Sequence, residues 1–203
     1  MRIGVLGGTF DPIHMAHLIV AEEVRSRLEL EEVVFVPTGE PWMKAGTPLS
    51  SSHHRLNMVR LAVSSNPFFR VSSVEIDRPG PSYTLDTLEA LLAEYGEGVE
   101  IFFILGVDAL TEFHRWKEPE RILELAKLAV VGRPGFKGGD PSPKGNLVEG
   151  ASDRIVKLDG TNIEISAGEI RRRVAEGRSI RYRVCDEVAD YIMHHGLYRD
   201  GSK

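Results

Sequence analysis

The sequence predicts an α/β fold: a doubly wound, mostly parallel sheet with helices on both faces and a small C-terminal helical part. Three observations carry this expectation. Apolar runs recur at Ile3–Leu6 and within Glu31–Val36 and Val99–Gly106, as strands buried on both faces require. Stretches with helical spacing stand between them, so strand, helix and strand alternate as in βαβ units. The first run stops at Gly7-Gly8 just before a helix, which is how a ligand-binding turn opens a Rossmann-like sheet.

Composition narrows the function classes. At 203 residues the chain reads as one domain, 1–203, large enough to bury a core, with a helical portion from about 165 to 203 packed on the sheet. A net charge of −5 gives no footing for a nucleic-acid or membrane-surface partner. No apolar run is long enough to span a bilayer, and Met1-Arg2 leads straight into a strand pattern rather than a signal peptide. The single cysteine, Cys185, fits a reducing, cytoplasmic setting and reads as buried filler. The sequence leaves open a homo-oligomer.

The first strand ends in Gly7-Gly8, where the backbone can approach a ligand closely. Asp11-Pro12 is a turn pair. His14 and His17 follow, three apart where a helix begins, so both imidazoles fall on one face of its first turn. A helix start carries free N–H groups and partial positive charge. Two imidazoles added there suit phosphate. The glycines do not form the G-x-G-x-x-G fingerprint, and no Gly-Lys-Ser/Thr opens the helix. The helix continues through Leu18, Ala21, Val24 and Leu28, and Glu31–Val36 is the second strand.

The loop after that strand carries Lys44, at the same sheet end as Gly7. A helix follows with Arg55 near its start and Leu56, Val59, Leu61 and Val63 inward, and then a third strand over Phe69–Ile76. Ser82-Tyr83-Thr84 opens a helix whose Leu85, Leu88, Leu91, Leu92 and Tyr95 share a face, with Ser82 or Thr84 expected as its N-cap. Val99–Gly106 is the most apolar run and should be the central strand. It ends at Gly106-Val107-Asp108, where an acid meets either a ribose hydroxyl or a helix cap. Trp116, between Arg115 and Lys117, suits stacking on a heteroaromatic ring. A helix at Pro119–Ala126 and a strand at Lys127–Val131 precede Arg133-Pro134 and an aperiodic loop over 136–150. The strand Arg154–Leu158 follows. Ser166 with Glu169 reads as a capping box, and Arg171 leaves the first turns of that helix, suited to phosphate.

Gly7-Gly8-Thr9-Phe10-Asp11-Pro12-Ile13-His14-Met15-Ala16-His17 resembles the (H/T)xGH-type signature of nucleotidyltransferases, in the form found in bacterial nicotinate-mononucleotide adenylyltransferases. Ile165–Arg171 resembles that family's ISxxxIR motif, with Ala167 and Gly168 where serine and threonine often stand. Arg55, Ser82-Tyr83-Thr84, Gly106–Asp108, Trp116 and Arg133-Pro134 also look like family landmarks. The resemblance implies transfer of AMP from ATP to nicotinate mononucleotide, giving deamido-NAD and pyrophosphate, with Mg²⁺ carried on ATP and no dedicated metal ligands. It implies that His14, His17, Lys44 and Arg171 handle the reacting phosphates. Gly7, Gly8, Thr9, Phe10, Gly106, Asp108, Arg133 and Ser166 would bind ATP; Ser82, Tyr83, Thr84 and Trp116 would bind the acceptor. The rivals are a nicotinamide mononucleotide or phosphopantetheine adenylyltransferase and a non-catalytic nucleotide-binding regulator.

Overall fold

The apolar runs become parallel strands, each shielded by a helix on either side. The structure, a computed structural model, describes residues 1–41, 48–132, 151–160 and 163–199. In chain order the elements are β1 (Arg2–Gly8), α1 (Met15–Arg27), β2 (Glu32–Pro37), β3 (Glu40–Pro41), α2 (Ser52–Val63), β4 (Phe69–Val71), α3 (Val74–Asp77), β5 (Pro81–Ser82), α4 (Thr84–Tyr95), β6 (Glu100–Gly106), α5 (Val107–Thr111), α6 (Pro119–Leu125), β7 (Ala126–Val131), β8 (Ile155–Leu158), α7 (Ala167–Ala175) and α8 (Asp186–His194). Short 3₁₀ turns stand at Phe113–Arg115 and Ala151–Arg154.

Six strands form one sheet in the order β4-β2-β1-β6-β7-β8, every neighbouring pair parallel. The chain winds outward from β1 through β2 to β4, then returns to the middle and winds outward through β6, β7 and β8. The winding direction reverses between β1 and β6, which is where an open α/β sheet leaves a crevice beyond its strand ends. The two-residue strands β3 and β5 pair separately, beside that crevice.

Alternation along the strands divides the interior into two layers. Val33, Phe35, Phe102 and Ile104 face the layer that also holds Ala21 and Val24 of α1, Met58 and Val59 of α2, Ile170 of α7 and Ile192 of α8. Ile3, Val5, Val34, Phe103 and Leu105 face the layer of Leu85, Leu88 and Leu91 of α4, Leu110 of α5 and Ile122 of α6. Both C-terminal helices thus join the layer beneath α1. This is the doubly wound arrangement expected from the sequence, with β6 beside β1 at the centre.

Two sequence-based expectations fail. Phe69–Ile76 is not one strand: pairing ends at Val71, and Val74–Asp77 is a helical turn. Ser73 Oγ donates to the Asp77 carboxylate at 2.6 Å, a local bond that competes with extension despite the β-branched Val74 and Ile76. Neither Ser82 nor Thr84 caps α4. Tyr83 occupies the cap without a side-chain capping bond, while Ser82 Oγ accepts from Gly39 N–H at 3.1 Å and so joins β5 to the end of β2.

Candidate active site

The turn after β1 is shaped by packing. A Cβ at Gly8 would stand 3.0 Å from the Phe10 ring, so any larger residue there would push that ring aside. Phe10 adopts a left-handed backbone, φ +49, which drives its ring into the core. That ring lies edge-on beneath His17, centroids 5.0 Å apart. The Phe10 side chain therefore supports the site from below and leaves only its backbone for a ligand.

His14 is the N-cap of α1 and His17 its third residue. The rings stack, with centroids 3.7 Å apart and planes 16° from parallel. The backbone N–H of His14 donates to His17 Nδ1 at 3.2 Å. A neutral His17 accepting there carries its proton on Nε2, which makes that nitrogen a donor. His14 is 7% exposed, and burial pushes its pKa down to about 4, so it is uncharged at neutral pH. Its Nδ1 is buried without a partner. One expected donor is already used: Met15 N–H donates to the Arg183 carbonyl at 2.8 Å, which ties the start of α1 to the segment before α8.

A buried polar hub fixes the turn from behind. Asp11, 2% exposed, accepts from Ser50 N–H at 3.2 Å and from the Tyr198 hydroxyl at 2.6 Å. Burial, together with the adjoining Asp11 carboxylate, raises the Tyr198 pKa. Arg171 reaches from α7 to donate to the Asp11 carbonyl at 2.6 Å, which brings Arg171 to the histidine turn. Ser166 caps α7 by accepting from Glu169 N–H at 3.2 Å. The Glu169 carboxylate pairs with Arg172 and Arg173. Arg55, also 2% exposed, donates to the carbonyls of Thr9 (2.8 Å), Thr38 (2.6 Å), Gly39 (3.1 Å) and Ser50 (3.1 Å). One guanidinium thus satisfies four carbonyls and binds the ends of β1 and β2 to the entry of α2.

Beside the turn, beyond β1 and β6, lies a cavity of about 380 Å³. Gly7, Gly8 and Thr9 form one wall; Ser82, Tyr83 and Thr84 at the start of α4 form another; Gly106, Trp116 and Lys117 close it. Trp116 stands edge-on to Phe103 at 5.8 Å, and its Nε1 is buried without a partner. Glu75 borders the cavity at 7% exposure. One of its oxygens accepts from Thr87 Oγ1 at 2.7 Å, the other has no partner, and burial raises its pKa. His14 and His17 do not line this cavity; they adjoin it across Gly8 and Thr9.

The structure thus brings Gly7, Gly8, Thr9, His14, His17 and Arg171 to one turn and Ser82, Tyr83, Thr84 and Trp116 to one cavity. Gly106 lines that cavity, and Asp108 is exposed in the first turn of α5 rather than at its cap. Lys44 and Arg133 lie outside the described residues. Sequence reasoning named Arg55 without its role and missed the burial of Asp11 and Glu75 and the bond from Tyr198 to Asp11. Among the described residues no group of three or more His, Cys, Asp or Glu side chains could hold a metal ion, and no helix is long and apolar enough to cross a membrane.

A cytidylyltransferase-like family model matches residues 5–173. A Roseiflexus sp. protein named as a probable nicotinate-nucleotide adenylyltransferase is 49% identical over 198 residues, covering 97% of this chain and 98% of its own. The chain belongs to the nicotinate-nucleotide adenylyltransferase family. A member from Dehalococcoides mccartyi, also named as probable, is 42% identical over 198 residues, covering 98% and 97%. Among solved structures, the nicotinic acid mononucleotide adenylyltransferase of Plasmodium falciparum, complexed with NaAD, superposes with a TM-score of 0.74 at 21% identity, covering 97% of each chain. That likeness shows the adenylyltransferase fold.

Proposed function

We propose that this chain transfers AMP from ATP to nicotinate mononucleotide, releasing pyrophosphate and forming deamido-NAD. The observation that carries the reading is the stacked His14–His17 pair at the start of α1, with Arg171 bonded to the same turn and a cavity of nucleoside-base size alongside. An oxygen of the acceptor phosphate attacks the ATP α-phosphorus in line, and the bond to the pyrophosphate oxygen breaks. No residue becomes covalently attached. Such a reaction depends on alignment and on neutralising charge on the equatorial oxygens. His17 Nε2–H and the buried His14 imidazole are the donors we assign to those oxygens. Arg171, Ser166 and Lys44 take the ATP phosphates. Gly7, Gly8, Thr9 and the Phe10 backbone pass beside ATP, Gly106 and Asp108 take the ribose, and Arg133 the adenine. Magnesium enters as the counter-ion of ATP and lowers its charge.

Ser82, Tyr83 and Thr84 at the start of α4 and the ring of Trp116 form the acceptor side. The first-turn N–H groups of α4 face an anion favourably, and Trp116 offers a flat partner for the pyridine. The test is pyrophosphate release from Mg-ATP with nicotinate mononucleotide, nicotinamide mononucleotide or phosphopantetheine supplied separately. Release with nicotinate mononucleotide above the others supports the reading. ATP binding with no release in any arm supports the regulator instead.

A further inference from the structure

Backbone donors at a helix start separate a carboxylate from a carboxamide only in part: their partial charge favours the anion, but either group offers them an oxygen. The cavity also contains a full positive charge. Lys117 lines it, with Nζ 5.1 Å from the centre of the Tyr83 ring and 2.7 Å from Asp86 Oδ1 in the first turn of α4. An ammonium has three N–H donors, and Asp86 takes one. The positive charge stands over the ring of Tyr83, the residue that precedes the first turn of α4, with two further N–H donors on the same nitrogen.

We infer that Lys117 is a specificity-determining residue, whose ammonium selects an acceptor bearing a carboxylate on its pyridine over one bearing an amide, and that Asp86 attenuates this selection. The inference rests on the acceptor side assigned above. Asp86 anchors the flexible lysine over Tyr83 and also neutralises part of its charge. The two members of this ion pair therefore have opposite effects on acid preference, although both contribute alike to the pair itself. A purely structural salt bridge has no such asymmetry.

The test measures Kd by calorimetry, and kcat/KM where turnover occurs, for nicotinate and nicotinamide mononucleotide. The proteins are the wild type, Lys117→Gln, Lys117→Arg and Asp86→Asn, with melting temperatures in parallel. An exposed charge contact predicts that Lys117→Gln lowers the acid-over-amide ratio about two- to five-fold. Lys117→Arg should keep the ratio, and Asp86→Asn should raise it. Raising salt from about 0.05 to 0.5 M should lower the wild-type ratio and leave that of Lys117→Gln unchanged. An unaltered ratio in Lys117→Gln, or a fall in both Lys117→Gln and Asp86→Asn, overturns the inference. Acid preference in binding without pyrophosphate release in the wild type overturns the proposed function and leaves the role of Lys117 standing.

Discussion

Acidification should destabilise the folded chain through His14. The ring is buried at the start of α1, and its pKa falls from the ordinary 6.5 to about 4 because burial removes water from the charged form. The unfolded chain therefore binds a proton that the folded chain refuses between pH 6.5 and 4. Stability tied to this group is present above pH 6.5 and lost as pH falls towards 4. With those two values the loss from pH 7.5 to 5.0 is about 2 kcal/mol, and it approaches about 3 kcal/mol below pH 4. Urea unfolding followed by circular dichroism at both pH values, for the wild type and His14→Asn, measures it. His54, also held low by burial and by the nearby His195 and His53, titrates in both proteins and cancels in the difference. The wild type should lose about 2 kcal/mol more than the variant. Parallel losses would refute the argument. An oxyanion beside the ring favours the protonated form, so pyrophosphate should stabilise the wild type more at pH 5.5 than at pH 7.5, and His14→Asn equally at both.

Three further outcomes follow from the site. His17→Ala removes both a donor to the reacting oxygens and the acceptor for His14 N–H, so kcat should fall at least about a hundredfold while the melting temperature drops only a few degrees. Arg55→Met leaves four carbonyls without their donor and should cost about 3–5 kcal/mol in urea unfolding; Arg55→Lys, lacking the planar fork, should recover only part of it. Gly39→Ala places a methyl 2.2 Å from the Glu75 carbonyl and 3.2 Å from Ser82 Oγ. Backbone must move at the cavity edge, so stability should fall by about 1–3 kcal/mol, with KM for the acceptor rising more than KM for ATP.

Much of the architecture was readable because strands buried on both faces admit only unbroken apolar runs. Glu31–Val36 and Val99–Gly106 could scarcely be anything else. The third strand was misjudged because Val74 and Ile76 carry strand propensity, while the bond that turns the chain runs from Ser73 to Asp77. The paired histidines were legible from spacing, since residues three apart on a helix share a face. Their support was not. Asp11 reads as an ordinary turn residue; nothing local reveals that Ser50, Arg171 and Tyr198, distant in sequence, all bond to it. Arg55 gave a faint signal, a charge immediately before Leu56 in a helix otherwise turned inward. Lys117 entered only as a neighbour of Trp116, because its partner, Asp86, is 31 residues away.

The bond from Tyr198 to Asp11 spans 187 positions of the chain. Residues 7–17 leave the ribosome long before the hydroxyl that secures their turn. During synthesis the histidine turn therefore emerges while two of its anchors, Arg171 and Tyr198, have yet to be made. A chain truncated before Tyr198 therefore loses an anchor of the turn without losing a single residue from it.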